Sequence, residues 1–272
     1  MKYSQTDYHA TSIGALANGL CAVLSVDNIV PGGEPEDLVR FAFAGEAQRV
    51  LLFLPKALGT AVCDRFAQYM DAVKDIAPMR LDWAVPYPAC NQNTLHTLFE
   101  GAPPQKESRL DLFDACSGKR RCAVVATKHH GIKTPFVNTE WIECDNDMAT
   151  VAKAIDLLKQ DCYDLIAVCV GAFDVMMDAT PLYGTRCEHA FANHVKEFAL
   201  LCDAAGVYQQ YNTLVGFCPT YGAHKGFLCG KHNRHFPEDL NVTHYFGVVS
   251  GLKDKSAQEM LDGQDTATDN LN

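Results

Sequence analysis

Side chains able to do chemistry crowd one stretch, Cys218-Pro219-Thr220-Tyr221-Gly222-Ala223-His224, followed by Gly230-Lys231-His232 and by Pro237 to His244. Imidazoles in a Gly-containing segment just beyond the apolar run Leu214 to Cys218 fit the way α/β enzymes place metal ligands past strand ends. Upstream, Asp174 and Asp178 stand four residues apart. On a helix they share a face and can chelate a cation, or they form a solvated acidic turn whose charges repel. His129-His130-Gly131 also follows a strand-like run, but neighbours in an extended chain point to opposite sides, so at most one of the two can face a pocket. His235 and His244 carry weaker signals, and His244 is expected to pack beside a strand. No P-loop, dinucleotide fingerprint, nucleophile elbow or zincin helix occurs.

The elements that must position these groups are legible as alternating apolar runs and helix-period segments, the pattern of a sheet covered by helices on both faces. Strands are predicted at Arg49–Leu54, Arg80–Val85, Arg121–Thr127, Asp164–Val170, Thr213–Cys218 and His244–Val249. Met148, Val151, Ile155 and Leu158 recur at helical spacing, with Asp147 as the N-cap. A second helix lies between Glu188 and Cys202. A third starts near Asn91, itself a good N-cap residue, and stops before Gly101 and Pro103-Pro104. Residues 102–119 read as a surface excursion, and the tail 251–272 as polar and fraying, which leaves one domain over residues 1–250.

Composition narrows the classes. The 272 residues are 48% hydrophobic and 21% charged, ordinary for a globular protein. A net charge of −10 argues against nucleic acid or an anionic membrane as the main partner, although local basic patches remain open. Met1 to Ala17 has no basic region followed by a long apolar core, so neither a secretory signal nor a membrane anchor is expected, and no uninterrupted apolar run reaches spanning length. Twelve cysteines are scattered singly without paired zinc-site spacing, so they read as buried thiols of a cytoplasmic protein.

Taken together, Tyr211 to Pro219, Gly230-Lys231-His232 and Pro237 to Gly247 resemble the closing region of the alkaline-phosphatase superfamily, in its phosphodiesterase and phosphoglycerate-mutase-like branch. Tyr163 to Ile166, followed by Phe173 to Asp178, resembles that family's strand and Asp-x-x-x-His motif. Arg49 to Gly59 looks like its first strand, and Tyr87 to Gly101 like its nucleophile segment. The resemblance implies a three-layer α/β sandwich with a mainly parallel sheet, here without a large cap domain. It also implies two divalent metals, usually zinc, about 4 Å apart and serving phosphoryl or sulfuryl transfer.

Carried over position by position, one metal site has lost its ligands. Its aspartate falls on Pro55, its nucleophile on Asn91, and its Asp-His pair on Thr220 and Tyr221. A one-residue shift would offer Cys90 instead, but the surrounding residues lack the context of a sulfatase cysteine. The other site keeps its character in Asp174, Asp178 and His232, with His224 matching the last histidine of the closing loop. Those groups suit one zinc or manganese ion with a place for water. Two functions remain open. One is a divergent, catalytically inactive protein that binds a small ligand or serves a related active enzyme as partner. The other is a single-metal hydrolase in which Asn91 or Tyr221 stabilises developing negative charge. A homo-oligomer is compatible with either.

Overall fold

The computed structural model describes residues 12–29, 43, 45–103, 110–128 and 136–254. His129-His130-Gly131, residues 104–109 of the surface excursion, and the tail from 255 lie outside them.

Seven strands form one sheet: β1 Arg49–Pro55, β2 Met79–Ala84, β3 Cys122–Thr127, β4 Glu140–Cys144, β5 Leu165–Val170, β6 Thr213–Phe217 and β9 Asn241–Val249, in the order β2-β9-β6-β1-β5-β3-β4. β1 pairs in parallel with both β5 and β6, with Leu52 opposite Ala167 and Gly216, while β9 runs antiparallel to β6 and β2. β7 His224–Lys225 and β8 Gly230–Lys231 make a separate short hairpin. Every residue of β1, β5 and β6 is buried, as continuous apolar strands covered on both faces must be.

Helices α1 Leu16–Val23, α2 Thr60–Arg65, α3 Asp71–Ile76, α4 Asn91–Glu100, α5 Leu112–Cys116, α6 Asp147–Gln160, α7 Ala172–Ala179, α8 Thr185–Tyr208 and α9 Pro237–Leu240 follow the chain. They segregate: α6, α7 and α3 pack with α8, whereas α1, α4 and α5 pack with one another. Each layer has its own aromatic set. Phe53 meets Phe198 and Phe217 at 6.1 and 5.8 Å under α8, and Phe99, Phe113 and Phe136 lie about the α4–α5 pair within 4.8 to 5.3 Å of one another. This is the three-layer, mainly parallel α/β architecture expected, and β7–β8 is the only second sheet among the described residues.

The local signals behave as their chemistry requires, with three corrections. Gly101 ends α4 in the left-handed region, at φ 74°, where a side chain would be strained. Asn91 is not the cap: Cys90 holds the extended cap conformation, and Asn91 is already the first helical residue. Likewise Asn146 caps α6, its side chain accepting from the Ala149 N–H at 2.9 Å, which puts Asp147 inside the helix. Met148, predicted to face the core, is 77% exposed, because the buried stripe runs through Asp147, Thr150, Val151, Ala154, Leu157 and Leu158 instead.

All twelve cysteines are free. Cys122 and Cys169 are buried on interior strands and Cys218 just after β6, while Cys162 is exposed. Burial pushes the Cys169 thiol up to about 12 and Cys218 well above its ordinary value.

His244 is fully buried on β9, its Nε2 3.0 Å from the Pro219 carbonyl. Burial lowers its pKa from 6.5 to about 4, so the folded protein refuses a proton that the unfolded chain accepts. Its contribution to stability is complete above about 6.5 and is lost as pH falls toward 4, at up to about 1.4 kcal/mol per pH unit. Denaturant midpoints of the wild type and of His244→Phe, measured from pH 7 to 4, should show a steeper acid decline in the wild type; parallel curves would remove His244 as the cause.

Candidate functional site

The parallel neighbours β6, β1 and β5 end side by side at Phe217, Pro55 and Val170, and polar side chains gather in the residues that follow. Lys56 follows β1 directly. Its N–H donates to the Val170 carbonyl at 3.2 Å, and its side chain, 9% exposed, runs over Gly171. A Cβ at Gly171 would stand 3.3 Å from Lys56 Cε and 3.4 Å from Nζ, so the glycine leaves room for the lysine. Lys56 Nζ reaches 3.7 Å from Oδ2 of Asp174, in the first turn of α7.

The other Asp174 oxygen, Oδ1, lies 3.9 Å from His232 Nε2. Asp174 Oδ1 and His232 Nδ1 are both buried without a hydrogen-bond partner. Tyr221, 2% exposed, packs its ring 5.0 Å from that of His232. Burial first, and the Asp174 charge second, hold the phenol pKa well above its ordinary value. Tyr221 therefore keeps its proton at neutral pH and can donate a hydrogen bond. Ammonium, carboxylate, imidazole and phenol are thus gathered beyond the strand ends, a set suited to holding a polar ligand.

The remaining predicted site residues have surroundings of their own. Asp178 is exposed at the far end of α7. His224 turns its Nδ1 to fully buried Asp239, 2.8 and 3.0 Å from its two oxygens, and sets its ring edge-on to Phe236. Asp239 also accepts the Arg234 N–H at 2.7 Å, so His224 anchors the closing turn. Asn91 is buried at the first helical position of α4, and Thr220 is fully buried with its hydroxyl unpartnered.

A carboxylate–imidazole group that the sequence did not single out sits at the start of α7. Among the described residues, Asp147, His194 and Glu197 alone bring three metal-ligating atoms within 4.8 Å of one another. These atoms already have partners. Asp147 accepts from the Thr127 hydroxyl at 2.6 Å and from the Gly171 and Ala172 N–H groups at 3.1 and 2.7 Å. His194 Nδ1 meets Glu197 at 2.8 Å, while its Nε2 receives the Phe173 N–H at 3.3 Å. Together they satisfy successive N–H groups at the start of α7, the helix that presents Asp174. The one sequence hint was an aspartate on the buried stripe of α6, where an acid needs a partner.

The donor set can be tested against metals. Where one metal would lie, Pro55, Thr220 and Tyr221 offer no usual ligand, and Lys56 sets an ammonium 3.7 Å from Asp174. The two-metal centre does not fit. Asp174 Oδ1 and His232 are better placed: donors about 2 Å from a tetrahedral ion lie about 3.3 Å apart, close to the 3.9 Å observed. They supply two donors.

No family model matches the sequence, and neither does any curated protein. Solved structures do. A 2-O GAG sulfatase superposes with TM-score 0.52 at 10% identity, over 76% of this chain and 64% of its own. Phosphonoacetate hydrolase from Sinorhizobium meliloti gives 0.47 at 13% identity over 73% and 60%, and the C-terminal periplasmic domain of a phosphoethanolamine transferase from Campylobacter jejuni gives 0.48 at 8% over 74% and 79%. The chain spans about three fifths of the length of the first two. At 10% identity the likeness to the sulfatase speaks to architecture alone: this chain shares its α/β fold.

Proposed function

We propose that this is a divergent alkaline-phosphatase-like protein whose strand-end polar cluster binds a small polar ligand, or engages a related active enzyme, without two-metal phosphotransfer. The carrying observation is the Lys56–Asp174 pair at 3.7 Å, an organic cation beside the carboxylate that a metal would need. Lys56 and Tyr221 donate hydrogen bonds, Asp174 and His232 accept or relay them, and no activated nucleophile stands among them. The free cysteines suit a reducing compartment, and a cytoplasmic location belongs to the same proposal.

A second reading rests on the unpartnered Asp174 Oδ1 and His232 Nδ1. It is a hydrolase with one zinc or manganese ion held by Asp174 and His232, with Asp178 drawn in. When bound, such an ion supplies an acidified water. Tyr221 would then hold its proton against the charge developing on the substrate.

Elemental analysis of chelator-free, untagged protein separates the two, together with turnover of chromogenic phosphate mono- and diesters under added zinc or manganese. The expected result is neither stoichiometric metal nor turnover. About one equivalent of metal lost in Asp174→Ala, with turnover lost in His232→Ala, would overturn the first reading in favour of the second. The lysine makes a further expectation: Lys56→Met frees Asp174, so added zinc should raise the melting temperature of the variant and not that of the wild type.

A further inference from the structure

The hairpin that precedes His232 has features that the polar cluster at the strand ends does not use. β7 and β8 pair His224 with Lys231 and Lys225 with Gly230, and the Gly226 N–H donates to the Cys229 carbonyl at 3.0 Å. That leaves Phe227 and Leu228 as the two central residues of a tight turn, where Gly, Asn or Asp is usual. Phe227 is 99% exposed and Leu228 75%. The turn is held from below: a Cβ on Gly226 would come 2.6 Å from the Cys229 carbonyl oxygen, and one on Gly230 3.0 Å from Met177 Cβ. Two large apolar side chains are therefore fixed in water at the end of a narrow projection.

Their surroundings are basic on an acidic chain. Residues 224–236 contain Lys225, Lys231 and Arg234 and no acid, against a net charge of −10 overall. All three cations are exposed, and none forms an ion pair with a described residue. The acids adjoining them in the fold are exposed Glu238 and Asp178, with Asp239 buried against His224 and Asp174 held between His232 and the Lys56 ammonium. Beyond about 8 Å the remaining negative charge is screened at physiological salt, so a surface meeting this tip senses the local cations.

We infer that the 224–236 hairpin docks on an anionic lipid surface, Phe227 and Leu228 entering the acyl boundary while Lys225, Lys231 and Arg234 lie at the headgroups. Two observations favour a bilayer over a protein partner. The apolar pair projects as a tip and does not line a face, and lysines, which protein interfaces exclude from their centres, stand directly beside it. Lysine stems follow apolar side chains into an interface while their ammonium groups stay among phosphates. Docking of this kind is peripheral, and no described helix is long and apolar enough to cross a membrane.

Flotation of the full chain with vesicles tests this, using phosphatidylcholine alone and with about 30% phosphatidylserine, at about 0.15 M salt. Each cation near such a surface is worth a factor of about five, so binding should be at least about ten-fold tighter to the phosphatidylserine vesicles. Phe227→Ser with Leu228→Ser should abolish that gain, as should Lys225→Glu with Lys231→Glu, all with unchanged melting temperature because these side chains are exposed. Phe227→Trp should show blue-shifted emission on adding the anionic vesicles. Equal binding to both vesicle types, or no shift from the tryptophan, would overturn the inference. So would a wild-type dimer that becomes monomeric on Phe227→Ser, which would assign the tip to a second copy of the chain.

Discussion

Replacing Asp147 with Ala should lower the melting temperature by about 6–12 °C, corresponding to about 3 kcal/mol at the 2–4 °C per kcal/mol typical of chains this size. The carboxylate is buried and accepts the Thr127 hydroxyl and the N–H groups of Gly171 and Ala172. Alanine leaves the Gly171 and Ala172 N–H groups unsatisfied, each worth about 1–3 kcal/mol when stranded in the interior, whereas the Thr127 hydroxyl keeps Thr150 and the Cys169 carbonyl within reach. Asp147→Asn keeps one acceptor oxygen and should fall between the two. Thermal denaturation of the three proteins settles the order. A melting temperature for Asp147→Ala within about 1 °C of wild type would show that water replaces the carboxylate freely. Zinc should leave the wild-type transition unmoved if the group serves as a cap for α7, because its donors are already occupied.

Gly222→Ala should be at least as damaging, for a steric reason. A Cβ there would lie 1.8 Å from the Glu238 carbonyl oxygen, 2.9 Å from its carbon and 3.2 Å from Asp239 Cα, all backbone atoms that cannot rotate aside. Overpacking typically costs about 1–3 kcal/mol where side chains can yield, so the expected loss is about 3 kcal/mol or more. The displaced α9 turn carries Asp239, which holds His224 and the Arg234 N–H, so the substitution also loosens Tyr221 beside it. Gly118→Ala provides the comparison: nothing lies within 4 Å, and only its φ of 71° opposes a side chain, so about 1 kcal/mol is expected. Denaturant titration of both variants tests the contrast. Equal losses would remove the close approach as the cause.

These expectations show what could be read from the chain and what could not. The interior strands β1, β3, β5 and β6 were legible because burial on both faces forces unbroken apolar runs, and β2, at one edge, because Leu81 and Trp83 alternate with Arg80 and Asp82. β4 was not, because it is an edge strand whose Glu140 and Glu143 alternate with partly exposed Trp141, Ile142 and Cys144. Asp174 and His232 were chosen from the resemblance, and the fold does bring them within 3.9 Å. Their partner Lys56 was passed over, since its meaning depends on Gly171, 115 positions away in the chain and one strand away in the sheet. Asp147 was seen only as a cap candidate at its own helix. Its bonds instead run to the start of another helix across 24 and 25 residues, a relation that helical periodicity does not encode.

The buried thiols have a practical meaning. A thiol reacts with an alkylating reagent only when it meets solvent as thiolate, and burial denies Cys122, Cys169 and Cys218 both conditions. Cys162, at the surface, should be modified first. Later modification of Cys122, Cys169 or Cys218 then marks a place where the sheet has parted, with β3, β5 and the end of β6 each tagged by its own residue. Brief alkylation pulses in rising denaturant, followed by peptide mapping, would record the order in which these strands come apart.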